Sequence, residues 1–310
     1  MLPTSFPVVC FGEALWDILP AITMPGGAPM NVAYHLKKLG INPALITKVG
    51  IDEYGEGIIN LLAENEITTE FVCVDNGHAT GRVYANAKDC HEVVYDIVSS
   101  SAWDYIEFKE EYSKLVSQGD FFVFGSLSSR NKTTRETLFQ LLDLAKTKVL
   151  DLNLRPPHFK RCNVEYLLKK ATILKLNLDE LEFITGWFST TKTIKQRMSL
   201  LQDRLNIQML VVTLGADGAM LLIDGKFYRQ PGFHVVVADT IGSGDSFLAA
   251  FISQLLQNAT PASALEFASA VGAFVTSKKG GCPRYCPSDI PSIPAGVLPA
   301  SSIKQPGNPL

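Results

Sequence analysis

The sequence predicts an α/β fold: a doubly wound, mostly parallel sheet flanked by helices, with a small β lid. Two observations carry this. Short β-rich apolar runs alternate with longer segments of helical periodicity, which is the signature of βαβ units. Two stretches, 13–28 and 79–98, break that alternation and read as insertions outside the main sheet.

The elements follow in order. VVCFG (8–12), ALITKVG (44–50), FFVFGS (121–126), KVLDLN (148–153), TILKLN (172–177) and MLVVTLG (209–215) read as strands. Strands covered on both faces are near-continuous apolar runs, as these are. Helical spacing marks 29–40, 54–66, 133–146, 178–187 and 193–205. In the third of these, Leu138, Leu141, Leu142 and Ala145 share one face. VVTLGADG (211–218) reads as a strand entering a hairpin, and ASAVGAFVTSKKGG (268–281) as a helix ending at two glycines. In 79–98, Val83, Ala85 and Ala87 alternate with polar neighbours, KDCH turns, and Val93, Tyr95 and Ile97 alternate again. That is a hairpin serving as a flap, or else an edge extension of the sheet. From 287 onward Pro, Ser and Gly dominate, so the chain is expected to wrap the surface and then, over 297–310, to be disordered. With no repeat and no linker, residues 1–296 are expected to form a single domain carrying the lid segments.

Composition excludes several classes. The formal net charge is −3, so no basic excess points to nucleic acid or to an anionic membrane surface. The N-terminus lacks a basic region followed by a long apolar core, and apolar runs break well before 18 residues. The expectation is a cytoplasmic protein. Six scattered cysteines without a C-x-x-C pair, and five histidines, argue for free thiols over a zinc site.

The chemistry concentrates at glycine-rich junctions. HVVVA (234–238), DTIGSGDSF (239–247) and FLAAFISQLLQ read as strand, turn and helix, with the helix starting between Ser243 and Asp245. The first N–H groups of a helix have no internal partner and carry the positive end of its dipole. Gly242 and Gly244 keep side chains away, so the turn is a ready anion hole. Asp245 at its lip is either a dipole-compensating residue or a general base facing a transferred anion. Asp17 follows a strand in GEALWD, at the sheet end where α/β folds bind ligands. GGAPMN (26–31) opens a helix with Gly27 and Asn31. In LDLNLRPP, Asp151, Asn153 and Arg155 share one direction if the strand continues. Asn177 and Glu180 in NLDE read first as a helix cap. No G-x-x-x-x-G-K-[ST] loop is present, and no G-x-G-x-x-G follows a strand.

DTIGSGD resembles the second signature of the PfkB (ribokinase-like) carbohydrate kinases, and GGAPMNVAYHLKKLG their first. The resemblance runs from about 8 to 285. It implies a ribokinase-like fold, Asp245 as catalytic base, and Gly242, Ser243 and Gly244 as the anion hole for the γ-phosphate of ATP. It implies sugar contacts at Asp17, Gly27 and Asn31, and a substrate clamp at Arg155. It places Asn177, Glu180, Thr213 and Gly215 beside ATP, with Glu180 reaching Mg²⁺ through water. K⁺ would be held by the carbonyls of Asp239 and Ile241.

TGRVYAN and AWDYI resemble the fructokinase-like branch, which implies phosphorylation of D-fructose to fructose 6-phosphate. The alternatives are another sugar or sugar acid, such as ribose or 2-keto-3-deoxygluconate, a nucleoside, or a sugar-binding protein that has lost the chemistry. Only eight residues, Ile18 to Pro25, separate Asp17 from the glycine pair. That first lid segment is short for the family, and it argues against a homodimer formed through the lid.

Overall fold

The computed structural model describes residues 5–20, 22–89 and 92–290; the expected tail at 297–310 lies outside them. The first half runs β1 (Val8–Phe11), β2 (Leu15–Ile18), β3 (Thr23–Gly26), α1 (Ala28–Lys38), β4 (Pro43–Gly50), α2 (Glu53–Glu64), β5 (Val72–Asp75), β6 (Gly81–Asp89) and β7 (Glu92–Ile97). Next come α3 (Glu110–Gln118), β8 (Phe121–Gly125), α4 (Lys132–Leu144), β9 (Thr147–Asp151), α5 (Arg161–Lys170), β10 (Ile173–Asn177), α6 (Leu178–Gly186) and α7 (Ile194–Leu205). The last part is β11 (Met209–Thr213), β12 (Ala219–Ile223), β13 (Lys226–Gln230), α8 (Ser243–Leu256) and α9 (Pro261–Thr276).

Nine strands form the main sheet in the order β13-β12-β11-β10-β9-β8-β1-β4-β5. All neighbours are parallel except β11–β12 and β12–β13, which close the hairpin edge. Alternation within each strand feeds two cores. Val9 and Phe11 join Phe122, Leu150, Leu174 and Leu210 on one face. Val8 and Cys10 join Val123, Val149, Ile173 and Val211 beneath α1, α8 and α9 on the other. Both faces are dry, which explains the unbroken apolar runs in the sequence.

Segments 13–28 and 79–98 meet in a second sheet, ordered β3-β2-β6-β7. The hairpin is therefore no extension of the main sheet. Short as it is, the first segment forms its own hairpin, with Asp17 opposite Met24, and β2 pairs in parallel with β6. AWDYI anchors this sheet. Trp103 is fully buried against Gly81 at the start of β6. Arg130 lies 4.0 Å over the Trp103 ring, donates to both oxygens of Asp104 at 2.7 Å, and donates to the Val98 carbonyl just past β7.

One expected strand does not form. HVVVA (234–238) has no strand partner, and Val236 is 88% exposed. An apolar run is only a strand when an edge receives it, and β13 is paired to β12 alone. The segment is instead tied to the end of α9, through Ala238 and Asp239 N–H groups donating to the Thr276 carbonyl. Helices α3 and α5 were not anticipated. Among the described residues, no helix is long and apolar enough to cross a membrane, and the described cysteines are free.

Arg130→Met strands the buried Asp104 carboxylate without its partner. We expect a loss of roughly 3–5 kcal/mol, read from the urea midpoint.

Candidate active site

The main-sheet strands β1, β9, β10 and β11 end on the side where α8 begins. Gly242 caps α8 with φ 75°, a left-handed conformation that a side chain would strain. A Cβ there would also stand 2.5 Å from the Gly281 backbone. The Ser243 N–H closes a turn onto the Thr240 carbonyl at 3.3 Å, and Ser246 makes the first helical bond, onto Gly242. The amides of Gly244 and Asp245 lie between these, in the first turn of α8, where the sequence leads one to expect an anion hole. The Ser243 hydroxyl donates to the Gly272 carbonyl and accepts from Thr276, tying α8 to α9.

Asp245 is partly buried, and its Oδ2 accepts from Asn31 Nδ2 at 2.8 Å. Burial pushes its pKa up to about 6, and Asp151 adds to the rise. Lys175, the Asn31 bond and Arg155 oppose it. Asn31 itself is buried on α1, and its Oδ1 accepts from the Cys282 thiol at 3.2 Å. Gly281 must lack a side chain, because a Cβ would stand 2.7 Å from the Asn31 amide. Asn31 is thus held by the protein at both ends, with one Nδ2–H left for a ligand.

Asp17 sits on β2 against Gly26, where a Cβ would overlap its carboxylate. Its pKa rises to about 6, first through burial and then through the charge of Asp245, so the two carboxylates face a common space. Gly27, at φ 107°, packs onto the Glu13 carbonyl. Glu13 was not singled out from the sequence. It is 2% exposed, its Oε2 has no partner, and burial pushes its pKa to about 7. Met24 of β3 rests on Gly280, its sulfur 2.7 Å from where a Cβ would stand.

Asp151, Asn153 and Arg155 do not share a direction. Strand β9 stops at Asp151, Asn153 turns left-handed at φ 41°, and the Pro156–Pro157 bond is cis. Asp151 points inward to Lys175, at 2.8 Å from both oxygens. Arg155 is exposed and donates to the neighbouring Leu154 carbonyl, yet its charge lowers the pKa of Glu13, Asp17 and Asp245. Lys175 also went unnoticed in the sequence. The available signal was a lysine inside the apolar strand TILKLN.

Asn177 and Glu180 form the capping box of α6, with Asn177 Oδ1 accepting from the Glu180 N–H and Glu180 Oε2 from the Asn177 N–H. Glu180 Oε1 accepts from Leu154 N–H at 2.7 Å, holding the loop after β9. Thr213 ends β11 in register with Asn177, and Gly215 turns beyond it at φ 58°. The Asp239 carboxylate accepts from Ile241 and Gly280 N–H groups, joining the loop before α8 to the loop after α9. Asp17, Asn31 and Asp245 thus converge, Asn177 and Thr213 lie side by side further along the sheet, and the exposed Arg155 is near enough for its charge to act on Asp17 and Asp245.

The model of the pfkB family of carbohydrate kinases matches residues 23–286. The chain is 29% identical over 315 positions to "Probable fructokinase-2" of Arabidopsis thaliana, covering 92% of this chain and 94% of the relative. It is 30% identical over 305 positions to "Probable fructokinase-5" of the same plant, covering 89% and 93%. The structure of a fructokinase with bound ATP from Xylella fastidiosa superposes with a TM-score of 0.80 at 23% identity, covering 89% of this chain and 93% of that one. A fructokinase of Vibrio cholerae O395, in fructose, ADP and calcium ion bound form, gives 0.77 at 24%, covering 89% and 94%. At these identities the two structures establish the ribokinase-like fold.

Asp245 carries a stability signature of its own. Its folded pKa of about 6 lies above the ordinary 3.8, so ionisation costs the folded state free energy above pH 6. That cost is absent below the unfolded value. Asp245→Asn, which can still accept from Asn31, should raise Tm at pH 8, with the gain fading below pH 4. Thermal denaturation against pH reads this.

Proposed function

Since the chain belongs to the pfkB family of carbohydrate kinases and is a sugar kinase, we propose that it transfers the γ-phosphoryl group of ATP to D-fructose, giving fructose 6-phosphate. The observation that carries the reading is the Asp245 carboxylate, half-buried and held by Asn31 in the first turn of α8. The choice of fructose is supported by relatives named fructokinases over most of the chain, and by the AWDYI segment that anchors the lid sheet.

In the proposed mechanism the sugar lies between Asp17, on the lid sheet, and Asp245. Asp17 accepts from sugar hydroxyls, the free Asn31 N–H reaches another, and Gly27 lets the backbone approach. Asp245 takes the proton of the attacking hydroxyl as the new O–P bond forms. The bond from the γ-phosphorus to the bridging oxygen breaks, and ADP leaves. The amides of Gly244 and Asp245, presented by Gly242 and Ser243, hold the negative charge in flight. Arg155, exposed and without an acidic partner among the described residues, supplies a guanidinium to substrate oxygens.

ATP would extend over the ends of β10 and β11, past Asn177, Thr213 and Gly215. Among the described residues, no group of three or more acidic, His or Cys side chains could hold a metal alone. Both Glu180 oxygens already hold backbone amides. Mg²⁺ therefore fits as an ion carried on the phosphates, reached by Glu180 through water. K⁺ would sit on the carbonyls of Asp239 and Ile241, in the loop that the Asp239 carboxylate braces.

An ADP-coupled assay with Mg²⁺ and K⁺ on fructose, ribose, 2-keto-3-deoxygluconate and adenosine tests the reading. Fructose should be preferred. Preference for another acceptor would keep the base and the hole but overturn the substrate, and silence on all would favour a binding protein. Asp245→Asn should lower kcat by roughly 10²–10⁴. The base must be ionised, so kcat/KM should fall on acidification with an apparent pKa near 6, shared between Asp245 and Asp17.

A further inference from the structure

Beneath the first turn of α8 lies a buried ion pair that the transfer described above does not use. Lys175 on β10 and Asp151 on β9 are both almost wholly enclosed, with Nζ 2.8 Å from each carboxylate oxygen. Nζ also lies 3.2 Å from where a Cβ on Gly244 would stand, so the ammonium reaches the underside of the hole. Burying two charges is costly, and well-packed apolar residues stabilise a fold as well or better. A structural role alone gives no reason for charge at this place.

We propose that Lys175 is a positioning residue for the phosphoryl transfer: held by Asp151 under the first turn of α8, it sets a fixed positive charge against the amide hole and against Asp245. In a site shielded from water, a fixed charge acts strongly on neighbours several ångströms away. Asp245 is otherwise surrounded by acids, with Glu13 after β1, Asp17 on the lid sheet and Asp151 on β9, and by the Cys282 thiol. The opposing cations are Lys175 and the exposed Arg155. Burial disfavours the charge on Lys175, but Asp151, then Asp245 and Glu180, outweigh it and hold the amine protonated. The ammonium in turn favours ionised Asp245, which is the form a base needs, while Asp151 works against it. Asp151 fixes the lysine in place at the expense of part of its field.

The proposal rests on the kinase reading, and the variants separate the two. Lys175→Met alone leaves Asp151 stranded and can fail to fold. Asp151→Asn combined with Lys175→Gln replaces the pair by neutral groups that can bond to each other. The double variant should keep its fructose KM and the Tm shift given by fructose, while kcat falls roughly 10²-fold, as on removal of one oxyanion donor. Its thermal shift with ADP and aluminium fluoride should shrink relative to that with ADP alone. Asp151→Asn alone removes the acid that raises the Asp245 pKa, so the acid limb of kcat/KM should move to lower pH. A double variant with wild-type kcat would overturn the proposal and leave the pair a structural one. If the double variant does not fold, the single variant decides, and an unmoved acid limb overturns the proposal. A wild-type chain that phosphorylates no sugar removes both readings, whereas an active wild type with an unaffected double variant removes the role of Lys175 alone.

Discussion

Two glycine backbones in contact set the geometry of the site. Gly242 and Gly281 approach so closely that a single methyl group on Gly242 would overlap the other chain. That contact fixes where α8 begins, and hence where its unpaired amides point. It also places Cys282 and Gly281 against Asn31, and through Asn31 it places Asp245. His35 supports the same loop from below, one ring nitrogen on the Gly281 carbonyl and the other on Tyr285. With burial holding its pKa near 4, the ring stays neutral at physiological pH and keeps one donor and one acceptor.

Charge is distributed unevenly around this contact. The carboxylates of Glu13, Asp17, Asp151, Glu180 and Asp245 converge on a small volume, and the cations facing them are Lys175 and Arg155. The acids coexist because most are satisfied locally: Glu180 by two amides, Asp151 by Lys175, Asp245 by Asn31. Burial first, and the mutual repulsion of the acids second, raise the pKa values of Asp17, Glu13, Glu180 and Asp245. Such a site suits chemistry that needs a carboxylate able to take and release a proton near neutrality. It also suits an anionic substrate that arrives with its own countercharge.

Most of the architecture could be read from periodicity, because the buried parallel strands carry unbroken apolar runs and the helices carry a 3.6-residue period. The misread strand at 234–238 shows where that signal ends. Three valines in a row look buried, yet no sheet edge receives them. In the site, glycine pairs and the acids beside them were visible as motifs, since turns and close approaches demand particular residues. The Asp151–Lys175 pair was not, because its partners lie on neighbouring strands and only the β9–β10 register brings them together. Nor was the turning aside of Arg155, which follows the left-handed Asn153 after the end of β9. Tertiary register and single backbone dihedrals leave little trace in one sequence.

The Met24 sulfur on Gly280 joins two parts of the molecule that topology keeps separate. Met24 belongs to the lid sheet, and Gly280 to the glycine pair on which the amide hole is built. The lid sheet and the loop after α9 therefore share a hard contact. Thermodynamic reciprocity then applies: a free-energy change that one ligand imposes through this contact is returned, equal in size, to the affinity for the other. Whichever ligand arrives first, a coupling carried by this contact has the same size in both directions.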